Sequence, residues 1–112
     1  MNITIKRKHY SRWSVDGDCY INGKKVCDTI EHPTKHRACG EYALTRDDYK
    51  QFFMRGNGPM KSIRGEVSLG ILAMTGVVHE AAQMHTKVLQ RIGKALKRNE
   101  IVTLTITDKT YE

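Results

Sequence analysis

Residues 16–31 read DGDCYINGKKVCDTIE, and this stretch decides the fold. Two runs rich in strand-forming residues, 19–21 and 26–30, flank the dipeptide Asn22-Gly23. A two-residue type I′ turn needs positive φ at both central positions, and Asn-Gly supplies it at low steric cost. The stretch therefore predicts a β-hairpin near the start of the chain and a fold built on antiparallel β-structure.

The same turn predicts how the two hairpin cysteines are placed. With a regular two-residue turn Cys19 lies opposite Val26, and Cys27 lies opposite Asp18, so a disulfide across the hairpin is one residue out of register. The third cysteine is Cys39, and no CxxC spacing occurs, which argues against a zinc site or a disulfide framework. We therefore expect three small core or surface residues in a reducing compartment, and no metal.

The remaining pattern predicts an α+β fold in a single domain, residues 1–112. Residues 1–8 and the IVTLTIT segment at 101–107 alternate apolar and polar side chains as half-buried strands do. From residue 75 or 76 to about 97, apolar residues recur with a period of 3.6, which predicts one amphipathic helix before the C-terminal strand. The expected architecture is a small antiparallel β-sheet or sandwich with an N-terminal hairpin and this one long helix.

The middle of the chain is less regular. Short strands are expected at residues 41–44 and 66–69, and residues 45–55 are ambiguous because Thr-Arg-Asp-Asp at 45–48 has the character of a helix cap. Gly56-Asn57-Gly58-Pro59 predicts a loop that continues towards Gly65.

The chain is basic, with 19 Lys and Arg against 12 Asp and Glu, for a net charge of +7. Such a balance favours anionic partners, among them nucleic acid, an acidic cell-wall polymer or a membrane surface. Lys6-Arg7-Lys8 is followed by polar residues instead of an apolar run, so no signal peptide is expected, and no window is apolar enough for a membrane span. The cytoplasm is the default location.

Two familiar site patterns are absent from the sequence. His79 and His85 are six residues apart, whereas a helical zinc site needs histidines at i and i+4 so that both face one ion. The glycines match neither GxGxxG nor GxxxxGK[ST], so neither a nucleotide-binding loop nor a bound cofactor is expected.

A cluster of His32, His36 and Cys39 offers a possible nucleophile. A cysteine beside a histidine can act in a hydrolase or transpeptidase when nearby cations stabilise its thiolate. The alternative interpretation is a solvated polar loop.

The predicted helix carries most of the remaining functional information. Five basic residues lie mainly outside its apolar stripe: Lys87, Arg91, Lys94, Lys97 and Arg98. They would contact phosphates in a nucleic-acid-binding module, with marked salt dependence. No interleaved aromatic residues and no helix-turn-helix pattern accompany them, and such faces are often simply solvated.

Seven short segments follow one another in a recognisable order. They are the opening MNITIKRK, the hairpin YINGKKVCDTIE, Gly40-Glu41-Tyr42, Gly56-Asn57, the segment from Gly65 to Gly70, TKVLQRIGKALKR and the final IVTLTIT. In this order the chain resembles a small uncharacterised family encoded by gut bacteria and their phages. Members of that family resemble shortened L,D-transpeptidase-like domains.

The resemblance implies a scaffold whose reactive residues are replaced. The family pattern has a histidine where this chain has Met54 and a cysteine where it has Glu66. A thioether does not accept a proton near neutrality, and a carboxylate is a far poorer acyl acceptor than a thiolate. The resemblance therefore implies a non-catalytic or catalytically altered protein, host-cell or phage-associated, that binds cell-wall peptidoglycan or a phage partner through Met54, Asn57, Glu66 and Ser68.

Overall fold

The computed structural model describes residues 1–54 and 65–108. Its strands are β1 (Asn2–Tyr10), β2 (Val15–Ile21), β3 (Lys24–Glu31), β4 (Gly40–Leu44), β5 (Phe53–Met54), β6 (Val67–Met74), β7 (Val77–His79) and β8 (Val102–Asp108). One α-helix, α1 (Ala81–Lys97), lies between β7 and β8, and a short 3-10 helix, Tyr49–Phe52, leads into β5. The α+β class and the long helix before a C-terminal strand are confirmed.

The sheet is mixed, so the expectation of a purely antiparallel sheet is wrong. Its order is β4-β8-β1-β2-β3-β6-β5, with β7 paired to β6. The pairs β1–β8 and β5–β6 are parallel, and the other pairs are antiparallel. Parallel neighbours need a long crossover, and alternation within a strand carries no information about the direction of its neighbour.

The hairpin forms as predicted, but the register of its two strands differs from the predicted register. Asn22 and Gly23 have φ of 50° and 82°, as the type I′ turn requires. A bulge then intervenes: Tyr20 pairs with Lys25, whereas Cys19 pairs with Cys27, so Val26 is the extra residue. The two cysteines are therefore cross-strand partners, which corrects the register expected from the turn alone.

The helix begins later than its apolar period predicts. Residues Val77–His79 pair with β6 after a turn at Gly76, whose φ is 76°. Val78 belongs to this strand, where it is buried against Gly70, and the helix starts at Ala81. An apolar residue at one boundary of a helical stripe fits a strand equally well, which explains the error.

One face of the sheet and α1 enclose the main core. From the helix it takes Val88, Ile92 and Leu96, and from the central strands it takes Ile3, Ile5, Cys19, Leu69 and Leu104. The inward positions expected for the last strand, Val102, Leu104 and Ile106, are all buried. The opposite face of α1 is thereby left to the solvent.

The middle of the chain departs further from expectation. The strand expected at 66–69 runs on to Met74, and the ambiguous segment contains only the single turn Tyr49–Phe52 before β5. The loop expected at residues 56–59 lies outside the described residues.

Candidate functional site

The solvent-facing side of α1 is strongly cationic. From Ala81 to Asn99 the sequence contains no Asp or Glu. Lys87, Arg91 and Lys94 are exposed and fall at i, i+4 and i+7, within about 60° of one another around the helix and about 10 Å along it. Lys97 is exposed on the flank of this stripe. We call Lys87, Arg91, Lys94 and Lys97 the cationic face.

Within the described residues, the charges of the cationic face have no counter-charge. Among residues 1–54 and 65–108, none of its four side chains has a hydrogen bond or ion pair. Arg98, which the sequence grouped with them, differs because its Nη2 lies 3.1 Å from Oε1 of Glu100. In the described part of the chain, the face therefore presents four cations without a partner, as a site for an external anion would require.

Two shallow grooves run along this face. The first, of about 550 Å³, is lined by Ala82, Gln83, Thr86, Lys87, Gln90, Arg91 and Lys94. The second, of about 580 Å³, lies between α1 and the 3-10 helix, and is lined by Tyr49, Lys50, His85, Thr86, Leu89, Gln90, Gly93, Lys94 and Lys97. Lys94 is common to both, so the two grooves adjoin.

The second groove contains an aromatic residue that the sequence interpretation missed. Tyr49 is half-buried, and its hydroxyl packs over Gly93, where an added Cβ would lie 3.0 Å from it. The Nζ of Lys50 lies 5.9 Å from the Tyr49 ring centroid. Tyr49 comes from a segment 45 residues before Lys94, so no local pattern in the helix could reveal it.

Arg46 holds this part of the structure together. Its Nε donates to the carbonyl of Leu96 at 3.1 Å, and its Nη2 donates to Oδ1 of Asn99 at 2.9 Å. A cation at the C-terminal end of a helix is favoured by the helix dipole. Arg46 is therefore engaged within the protein and fixes the 3-10 segment beside α1.

The positions implied by the resemblance lie at the β5 edge of the sheet. Met54 pairs with Ser68 in the parallel β5–β6 ladder, and Glu66 immediately precedes β6. Met54 and Glu66 are half-buried, whereas Ser68 is 1% exposed. Asn57 lies outside the described residues. The structure thus brings the two replaced positions to neighbouring strand ends but does not open Ser68 to a ligand.

The loop that carries the histidines packs beside the same strand end. An added Cβ at Gly65 would lie 2.8 Å from Cγ of Arg37 and 3.0 Å from the carbonyl oxygen of Lys35. The guanidinium of Arg37 lies 4.2 Å from the Phe52 ring centroid, just before β5. Both sets of residues suggested by the sequence, from the loop and from β5–β6, therefore occupy one end of the sheet.

Within the loop, the histidines contact backbone groups. Nδ1 of His32 accepts the N–H groups of Thr34 and Lys35 at 3.2 and 3.0 Å. Nδ1 of His36 lies 2.9 Å from the carbonyl oxygen of His32. The exposed Cys39 instead has Nη1 of Arg7 at 3.6 Å from its Sγ. A cysteine–histidine dyad stays a prediction, and the contact that the structure shows for the Cys39 sulfur is with the guanidinium of Arg7.

Neither a metal centre nor a spanning helix is evident in the described part of the chain. Within it, no three His, Cys, Asp or Glu side chains converge as a metal ion would require. None of its helices has the length and apolar character to cross a bilayer.

Comparison with known proteins adds no relative from which a function could be transferred. Searches of protein-family models, curated proteins and solved structures found no match to this chain.

Proposed function

We propose that this protein binds nucleic acid along the cationic face of α1. The observation that carries the proposal is a set of four exposed cations, without a partner among residues 1–54 and 65–108, on a helix that has no acidic residue. A solvated helix usually intersperses charges of both signs, since opposite charges at i and i+4 stabilise it. Leaving four like charges unpaired is favourable when an external polyanion neutralises them and releases its counterions.

The second groove favours a single strand over a duplex. Single-stranded nucleic acids are bound by grooves in which cations follow the phosphates while aromatic side chains stack on the bases. Lys94 and Lys97 stand beside Tyr49 in this groove. The lysines supply the phosphate contacts in this proposal, and Tyr49 supplies the stacking surface for one base.

The proposal is tested with two double variants that change the net charge by the same amount at different places on the protein. Arg91→Glu with Lys94→Glu reverses two charges on the cationic face, and Lys24→Glu with Lys35→Glu reverses two exposed charges elsewhere. Both double variants have the same net charge. Binding of a fluorescent single-stranded oligonucleotide should weaken at least tenfold in the first and much less in the second. Equal losses in both would show that net charge, not the cationic face, governs binding.

A second candidate function is cell-wall binding on an L,D-transpeptidase-like scaffold without its reactive residues. The pairing of Met54 with Ser68, with Glu66 two residues before Ser68, favours it because the resemblance requires these positions to converge. Neither Met54 nor Glu66 supplies the thiolate or imidazole of that chemistry. In this role the protein is a host-cell or phage-associated accessory protein whose ligand is peptidoglycan.

Co-sedimentation with peptidoglycan sacculi separates the two candidates. Retention on sacculi in the presence of excess single-stranded DNA would favour the cell-wall role, and transfer to the DNA would favour the cationic face. Alkylation of Cys39 addresses the remaining alternative, a cysteine hydrolase that uses Cys39 with His36 or His32. Turnover of a peptide substrate that is lost on alkylation would support that enzyme and contradict both binding roles.

A further inference from the structure

We propose that Cys19 and Cys27 form a modification site, at which a low-molecular-weight disulfide such as oxidised glutathione converts the two thiols into a cross-strand disulfide. The site is independent of the proposed nucleic-acid binding. It lies in the β2–β3 hairpin and not on α1. Both thiols are free in this structure.

The bulge supplies the geometry for this bond. Cys19 and Cys27 are direct cross-strand partners because Val26 is looped out of the ladder. Directly opposed residues in an antiparallel pair have Cα atoms about 4.5 or 5.5 Å apart, and disulfides span Cα distances of about 4.4–6.8 Å. Cross-strand partners also project to the same face of the sheet, and both cysteines belong to the main core. The pairing therefore fits the Cα separation that a disulfide spans.

The two thiols differ in the way that a two-step exchange requires. The pKa of Cys27 lies below its ordinary value. The main cause is a hydrogen bond that the Cys19 thiol donates to the sulfur of Cys27, and the N–H of Gly70 also stabilises the thiolate. These two effects outweigh burial, which opposes ionisation. The same thiol–thiol hydrogen bond, together with burial, raises the pKa of Cys19. Cys27 is also the more accessible of the two, with 6% of its surface exposed against 0% for Cys19.

Cys27 is therefore the attacking sulfur and Cys19 the resolving one. The Cys27 thiolate attacks one sulfur of the oxidised glutathione, forms a mixed disulfide and releases one glutathione thiolate. Cys19 then attacks the Cys27 sulfur and gives its proton to the departing glutathione thiolate, which forms the protein disulfide and releases the second glutathione as a thiol. Two protein thiols are oxidised, one small disulfide is reduced to two thiols, and atoms and electrons balance.

The third cysteine would complicate a count of thiols, and its replacement removes that difficulty. Cys39 is exposed and lies outside the hairpin, so Cys39→Ser leaves only the pair. The folded variant is incubated with oxidised glutathione, quenched with acid, unfolded and titrated with a chromogenic disulfide reagent. We expect the count to fall from two thiols to none and to return to two after reduction with dithiothreitol.

Peptide mapping then identifies which cysteines are joined. The expected product is a Cys19–Cys27 cross-link whose mass is lower by two hydrogens, without attached glutathione. Two remaining thiols, or a stable glutathione adduct on Cys27, would overturn the proposal. The same mapping on wild-type protein covers the case in which Cys39→Ser does not fold, and a disulfide there that joins Cys39 to either partner instead would also overturn it.

Discussion

Arg7 and Glu31 form a two-point ion pair inside the protein, although 24 residues separate them in the chain. Nε of Arg7 lies 2.9 Å from Oε2 of Glu31, and Nη2 lies 2.8 Å from Oε1. The residues are 2% and 1% exposed. Burial alone would lower the pKa of Arg7, but the hydrogen bond and charge of Glu31 outweigh burial and raise it. Arg7 also donates to the carbonyl of Arg37, so the pair anchors the histidine loop to the sheet.

Removing the charge of one partner of the Arg7–Glu31 pair should destabilise the folded protein. Glu31→Gln leaves the buried guanidinium of Arg7 without its counter-charge, and we expect the free energy of unfolding to fall by about 3–5 kcal/mol. Replacing both residues with apolar ones of similar size, as in Arg7→Met with Glu31→Leu, should cost less than the single change. Urea denaturation measures both. Equal stability of Glu31→Gln and wild type would contradict the account of this anchor.

Asp18 predicts a pH dependence of stability. Burial favours its neutral form, but hydrogen bonds from Lys8 and Lys25 outweigh burial and hold the pKa of Asp18 below its ordinary value of 3.8. Because the folded-state pKa is the lower one, the stabilisation is complete well above pH 3.8 and is lost as the pH falls through the folded-state value. Both lysines are nearly half exposed, so the contribution is about 1 kcal/mol or less.

The comparison of wild type with Asp18→Asn tests this dependence. The variant should be less stable at pH 7, and the difference should shrink steadily below about pH 4. Asp47→Asn is the control, since Asp47 is exposed and makes no hydrogen bond or ion pair within the described residues. A constant difference between Asp18→Asn and wild type across this range would show that the charge of Asp18 is not responsible.

Gly70 is predicted to tolerate no larger residue. A Cβ there would lie 2.7 Å from Cβ of Val78 and 2.9 Å from the carbonyl oxygen of His79. Gly70→Ala should therefore force β6 and β7 apart and cost about 1–3 kcal/mol in urea denaturation. In Gly93→Ala the added Cβ lies 3.0 Å from the hydroxyl oxygen and 3.7 Å from Cζ of Tyr49, at the far end of one side chain, and the change gains about 1 kcal/mol of helix propensity, so it should be close to neutral. The reverse order of stabilities would refute this packing.

Tyr49 should affect the binding of single strands selectively. Tyr49→Leu removes the stacking surface and should weaken oligonucleotide binding by about 1–3 kcal/mol, whereas Tyr49→Phe retains the ring and most of the affinity. Fluorescence anisotropy with single-stranded and duplex oligonucleotides of equal length is the measurement. If Tyr49→Leu weakens both ligands alike, or neither, the base does not stack on Tyr49.

Local chemistry explains which parts of the fold the sequence predicts. Asn22-Gly23 determines its turn because few other residues accept positive φ there, and the period of α1 determines which of its faces is buried. The bulge at Val26 is not predictable in this way. The Asn-Gly turn is equally compatible with a regular ladder, in which Cys19 would lie opposite Val26.

The residues of the candidate site also fall into those that local sequence predicts and those that it does not. Lys87, Arg91 and Lys94 could be predicted because helical spacing alone places them on one face. Tyr49 and the Arg7–Glu31 pair could not, because each depends on the approach of segments distant in sequence. One local hint is that Arg7 occupies the next position in the alternation of Ile3 and Ile5.

The salt dependence of oligonucleotide binding tests the central claim most directly. Neutralising each phosphate contact contributes about −0.7 to the slope of log K against log salt concentration for a single strand, so contacts by the four cations predict a slope near −3. Arg91→Glu with Lys94→Glu should reduce its magnitude by about half, whereas Lys24→Glu with Lys35→Glu should leave it nearly unchanged. A shallow wild-type slope, or the same slope in wild type and Arg91→Glu with Lys94→Glu, would contradict the claim that the cationic face binds nucleic acid.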